Sequence, residues 1–89
     1  MKISQEKKEK ISEQILAFLF NMSPKAVFTS HIAKELARDE EFIKSLLNEL
    51  KNKKLIIEIQ KNNKGAVYLR RSRWQLSNSI YSLYKSKQN

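Results

Sequence analysis

Apolar residues in this chain keep a helical period as far as Leu50 and then switch to strand-like alternation. That switch restricts the fold more than any other feature. A stripe with a 3.6-residue repeat covers one side of a helix, whereas an alternating run covers one face of a strand, and neither pattern serves for the other. Ile11, Ile15, Phe18, Leu19 and Met22 fall at i, i+4, i+7, i+8 and i+11, which predicts a helix from Ser4 to about Asn21 with Ser4 as its cap. Ser23-Pro24 ends it, because a residue before proline avoids helical backbone.

Lys25 to Phe28 reads as a short extended link. Thr29 or Ser30 then caps a second helix that runs to about Arg38 and turns Ile32, Ala33, Leu36 and Ala37 inward. Asp39 is the next N-cap, with Glu40 and Glu41 in a first turn where negative charge meets the positive end of the helix dipole. Ile43, Leu46, Leu47 and Leu50 give the third helix its stripe, to about Asn52. Two short helices with almost nothing between them form a helix-turn-helix.

From Leu55 the period changes. Leu55-Ile56-Ile57-Glu58-Ile59-Gln60 and Ala66-Val67-Tyr68-Leu69-Arg70 are strand-like and flank Lys61-Asn62-Asn63-Lys64-Gly65, which holds the single glycine of the chain. This is the pattern of a β-hairpin. Leu76, Ile80, Leu83 and Tyr84 form a last helical stripe, with Ser77 as a cap. The stretch from Arg71 to Gln75 could close the sheet or begin that helix. The expected fold is mainly α with a small β-hairpin, an α+β arrangement in the order helix, helix, helix, strand, strand, helix. One domain is expected over residues 1–89, divided as 1–22, 29–53, 54–71 and 76–87.

Charge is distributed unevenly along this pattern. The chain has 18 Lys+Arg, nine Asp+Glu and a net charge of +9. Residues 1–50 hold eight basic and eight acidic side chains and cancel, whereas residues 51–89 hold ten basic side chains and a single acid, Glu58. A neutral half joined to a strongly cationic half suits a polyanion, nucleic acid first. Without cysteine there is no disulfide framework, no thiol chemistry and no zinc site of the usual kind. His31, the one histidine, makes neither a metal site nor a catalytic triad. One glycine allows no glycine-rich phosphate loop. The carboxylate pairs Glu40/Glu41 and Glu6/Glu9 lie on solvated helix and give acid–base catalysis no support. No cofactor and no enzyme activity are expected. No apolar run approaches the ~20 residues that span a bilayer, and the start lacks a signal-peptide layout, so a cytoplasmic protein is expected.

Three stretches resemble the winged helix-turn-helix family, and within it the MarR-like prokaryotic regulators. Phe28-Thr29-Ser30-His31-Ile32-Ala33-Lys34-Glu35-Leu36-Ala37 is similar to the family's second helix. Leu46-Leu47-Asn48-Glu49-Leu50-Lys51-Asn52-Lys53-Lys54-Leu55-Ile56 is similar to the end of its recognition helix and the entry to its wing, and Trp74-Gln75-Leu76-Ser77 to the step that leaves the wing. Lys54 stands where the family usually has glycine, so Asn52 is expected to take the left-handed backbone there. The resemblance implies a transcriptional regulator that binds double-stranded DNA as a homodimer, with two recognition helices about 34 Å apart on a palindromic site.

Helical geometry leaves Glu41, Lys44, Ser45 and Asn48 opposite the apolar stripe of the third helix. Lysine and asparagine are residue types that read guanine and adenine edges. Lys61, Asn62, Asn63 and Lys64 at the hairpin tip, Arg70, Arg71 and Arg73 at its exit, and Lys51, Lys53 and Lys54 at its base are candidate DNA contacts along the backbone or in the minor groove. His31 is a further candidate for phosphate. About four to six phosphate contacts per subunit are expected. Ile15, Leu19, Trp74, Ile80, Tyr81, Leu83 and Tyr84 are the candidate dimer interface. Two other readings stay open: a protein-interaction module docking through Asp39-Glu40-Glu41, and a non-specific architectural DNA binder.

Overall fold

Side-chain caps open three of the four helices among the described residues. In the computed structural model, which describes residues 4–59 and 72–87, Ser4 accepts a hydrogen bond from the Lys7 N–H at 3.2 Å and starts α1, Gln5–Met22. The Asp39 carboxylate accepts from the Phe42 N–H at 3.0 Å and starts α3, Glu40–Asn52. Ser77 accepts from the Ile80 N–H at 3.4 Å at the start of α4, Asn78–Lys87. Each bond satisfies an N–H that the first helical turn leaves without an internal partner.

The second helix, α2 (Thr29–Leu36), departs from the expected capping. Its N-cap position is Phe28, with no side-chain bond, and Thr29 lies inside the helix. The Thr29 hydroxyl is buried and accepts from Trp74 Nε1–H at 2.8 Å, across 45 residues of sequence. A buried indole N–H needs such an acceptor, and that demand places Thr29 differently from a solvent-facing cap.

Both helices of the helix-turn-helix end in the same backbone motif. After α2 the Ala37 N–H donates to Lys34 O and the Arg38 N–H to Ala33 O; after α3 the Lys54 N–H donates to Lys51 O and the Leu55 N–H to Leu50 O. These are Schellman closures, and each requires a left-handed residue, usually glycine. Here they are Ala37 (φ 55°) and Lys54 (φ 64°). Lys54 itself therefore takes the left-handed position expected of Asn52, which stays helical. Ala37, expected inward, is exposed because the closure rotates it out of the helix. A Cβ in this conformation costs roughly 1–2 kcal/mol, and glycine gives part of that back in unfolded-chain entropy. Ala37→Gly is therefore expected to stabilise the fold by about 0.5–1 kcal/mol in urea unfolding.

Among the described residues there are three short strands: β1 (Val27–Phe28), β2 (Ile56–Ile59) and β3 (Arg73–Leu76). They form an antiparallel sheet in the order β1-β3-β2. The link at Lys25 to Phe28 thus ends in a strand. The strand pairing β2 is Arg73–Leu76, so Arg73 to Gln75 of the stretch between sheet and helix belong to the sheet, and Leu76 lies in β3 rather than on the last helix. The expected strand Ala66 to Arg70 and the hairpin tip lie outside the described residues. Register puts Val27 opposite Trp74, Ile56 opposite Leu76 and Glu58 opposite Trp74, so these side chains share the face turned to the helices. The outer face carries Phe28 opposite Arg73 and Ile57 opposite Gln75.

Ile15 and Leu19 from α1, Ile32 from α2, Ile43, Leu46 and Leu47 from α3, Ile56 from β2 and Trp74 from β3 meet in one core. Ile15, Leu19 and Trp74 are each 0% exposed. They were expected at a dimer interface, and this burial corrects that reading, since they have no surface left to offer another molecule. No residue of α4 is fully buried. It packs through Tyr81 and Tyr84, whose rings lie 5.4 Å and 5.5 Å from that of Phe20.

Candidate nucleic-acid interface

The apolar stripe of α3 fixes what the helix shows to solvent. Burying Ile43, Leu46, Leu47 and Leu50 leaves Glu41, Lys44, Ser45 and Asn48 exposed on the opposite side. Not all of these are equally available. The Ser45 hydroxyl donates to the Phe42 carbonyl at 2.7 Å, so it is engaged with its own helix. The Asp39 carboxylate is held as the cap, which absorbs one of the three acids at the start of the helix into local structure. Lys44 and Asn48, four residues apart, project from neighbouring turns.

Cations continue around the end of α3. Lys53 and Lys54 are exposed, and the left-handed backbone at Lys54 turns the chain sharply into β2. Lys51 differs from them. Its ammonium lies 2.7 Å from Glu58 Oε1, and the side chains are 42% and 16% exposed. The other carboxylate oxygen of Glu58 accepts from the Ser72 hydroxyl. Arg73, on the outer face of the sheet, sets its guanidinium over the Phe28 ring at 5.7 Å from the centroid. Stacking of this kind orients the guanidinium while leaving its edge N–H groups available. His31 is exposed, and its ring meets Phe18 edge-on at 5.5 Å. An open cleft of about 310 Å³ lies between His31, Phe28, Lys25 and Arg73.

The structure therefore brings Lys44, Ser45, Asn48, Lys51, Lys53 and Lys54 onto one helix and the turn after it. It sets His31 and Arg73 apart from them, on α2 and β3. Lys61, Asn62, Asn63, Lys64, Arg70 and Arg71 lie outside the described residues. Sequence reasoning missed the Phe28 platform under Arg73 and the Ser72–Glu58 contact. Glu58, as the lone acid of a basic half, was the one signal that something there needed a carboxylate. Among the described residues no group of His, Asp and Glu could hold a metal ion, and no helix is long and apolar enough to cross a membrane.

A helix-turn-helix followed by an antiparallel strand pair, with a third strand from the segment before α2, defines the winged helix-turn-helix fold. Solved structures share it. The chain is similar to MepR of S. aureus as crystallised in a DNA complex, at 25% identity and TM-score 0.73, covering 93% of this chain and 65% of that one. A G34K mutant of S. aureus MepR gives 27% identity and TM-score 0.66 over 97% and 56% of the two chains. ZitR of Lactococcus lactis, as an E41A mutant, gives 17% and 0.67 over 99% and 52%, a likeness of fold alone. The chain thus spans about half to two thirds of the length of these neighbours. No family model matches it, and no curated protein does.

Proposed function

We propose that this protein is a transcriptional regulator that binds double-stranded DNA, laying α3 in the major groove and resting the cationic residues beyond it on the phosphate backbone. One observation carries the reading: Lys44 and Asn48 are exposed together on α3, and Lys53 and Lys54 follow at its end, in a fold shared with MepR, which was crystallised with DNA. Lys44 and Asn48 then meet base edges. Lys53, Lys54 and Arg73, with Lys61, Lys64, Arg70 and Arg71 of the segment between β2 and β3, supply charge for phosphates. His31 adds a contact from the start of α2. The chain acts by binding and performs no catalysis.

Selection of bound sequences from a random duplex pool at physiological salt tests this. A recovered palindrome supports a sequence-reading dimer. Uniform, salt-sensitive binding replaces the regulator with an architectural DNA binder. No binding transfers the function to a protein-interaction module, for which the exposed Glu40 and Glu41 are the observation in favour.

The same reading includes a homodimer through the outer face of α4. Leu83 is 49% exposed there, beside the half-buried Ile80, Tyr81 and Tyr84, and a second copy related by a twofold axis would cover this strip with itself. Leu83→Asp is expected to shift sedimentation toward the monomer by at least tenfold in dissociation constant while leaving the circular dichroism unchanged. A wild-type chain that sediments as a monomer at every concentration removes the dimer from the proposal.

A further inference from the structure

Glu58 is a carboxylate in an unfavourable place. It is the only acid in residues 51–89, and it stands on the inner face of the sheet, opposite Trp74. A negative charge near a phosphate-binding surface weakens that binding, and a partly buried one carries a desolvation cost. The structure shows how that cost is met. Lys51 donates to one oxygen at 2.7 Å, and the Ser72 hydroxyl donates to the other. Glu58 belongs to β2, Lys51 to the last turn of α3, and Ser72 directly precedes β3. One carboxylate therefore joins the candidate reading helix to both strands of the hairpin root.

The two members of the ion pair are unequal. Glu58 is 16% exposed and fixed by its strand and by Ser72, whereas Lys51 is 42% exposed on a flexible stem. A fixed, two-oxygen anion at hydrogen-bond distance offers an ammonium what a backbone phosphate would offer. Giving Lys51 to DNA would leave the less exposed carboxylate without this cation. Exposed ion pairs contribute little, but here the acceptor is pre-set, and only the lysine is ordered by pairing.

We infer that Glu58 acts as an internal stand-in for phosphate and withholds Lys51 from the DNA backbone, so that the hairpin root is positioned on α3 at the expense of one phosphate contact. This rests on the DNA-binding reading above and assigns Lys51 a different role within it. Lys53 and Lys54 remain phosphate contacts, and Lys51 does not count among them.

The test is the salt dependence of duplex binding, because a merely structural role for Glu58 would not change the number of phosphates neutralised. Glu58→Gln keeps the shape and an acceptor oxygen and removes the charge. It is expected to steepen the log–log slope by about 0.9, one contact, so that a fourfold rise in salt costs about threefold more affinity than in the wild type. Adding Lys51→Met to Glu58→Gln is expected to restore the wild-type slope. An unchanged slope in Glu58→Gln overturns the inference, as does a steeper slope that persists in the double variant. Should Glu58→Gln fail to fold, the ammonium resonance of Lys51 in the wild type decides. It is expected to stay in place when duplex is added, and a shift on titration overturns the inference. A wild type that binds no duplex at all fails the DNA-binding reading, and this inference with it.

Discussion

Trp74→Ala is expected to remove about 3–5 kcal/mol of stability, the range for emptying a fully buried aromatic site. For a chain of this size, with total stability of roughly 5–13 kcal/mol, that removes between about a quarter and all of it. Three features of the structure set the size of the effect. Trp74 is 0% exposed. It occupies the central strand, opposite Val27 on one side and Glu58 on the other. Its indole N–H is bonded to the Thr29 hydroxyl at 2.8 Å. Thr29→Val separates the last term from the others, since it keeps the shape and leaves the indole N–H buried without its acceptor, at about 1–3 kcal/mol. Chemical unfolding followed by circular dichroism measures both. A Trp74→Ala chain that unfolds within 1 kcal/mol of the wild type contradicts the central place given to this residue.

The second large effect concerns specificity. Substituting Lys44 and Asn48 together by alanine is expected to lower affinity for the selected duplex by about 2–4 kcal/mol, roughly 30- to 1,000-fold, while binding to random duplex falls much less. The contrast follows from where the two residues sit. They face away from Ile43, Leu46, Leu47 and Leu50, so their removal opens no cavity, and melting temperature should hardly change. Competition binding against the selected and a scrambled duplex reads the ratio directly. An equal loss on both sequences assigns Lys44 and Asn48 to the backbone instead of the bases.

Local signals in the chain were readable where the physics is local. Ser4, Asp39 and Ser77 cap helices because a short polar side chain before an apolar stripe has a nearby N–H to accept from. Ile11, Ile43, Leu46, Leu47 and Leu50 are buried as their spacing required. Thr29 was legible as a polar residue at a helix start, but its partner lies 45 positions away, and no window of sequence contains both. The left-handed turns at Ala37 and Lys54 escaped for a different reason. Such positions are recognised by glycine, and here the backbone closure imposes the conformation on residues that disfavour it.

The candidate site divides in the same way. The outward face of α3 followed from periodicity alone. The cationic character of residues 51–89 was visible as a count, but a count cannot show that Lys51 is already paired. That pairing depends on the end of a helix lying over a strand that follows it after a sharp turn. Ile15, Leu19 and Trp74 were misplaced for want of the same information. An apolar side chain looks alike in sequence whether it faces its own core or a second subunit.

The place of β3 between β1 and β2 has a consequence for synthesis. The central strand is the last of the three to leave the ribosome, so both outer strands emerge before the segment that joins them. Until residue 74 is clear of the exit tunnel, Thr29 has no indole to receive and the groove between the first and third helices stays open on one side. Closure of the sheet therefore waits for its third strand in chain order, and the helices made before it must stay in solution until that strand arrives.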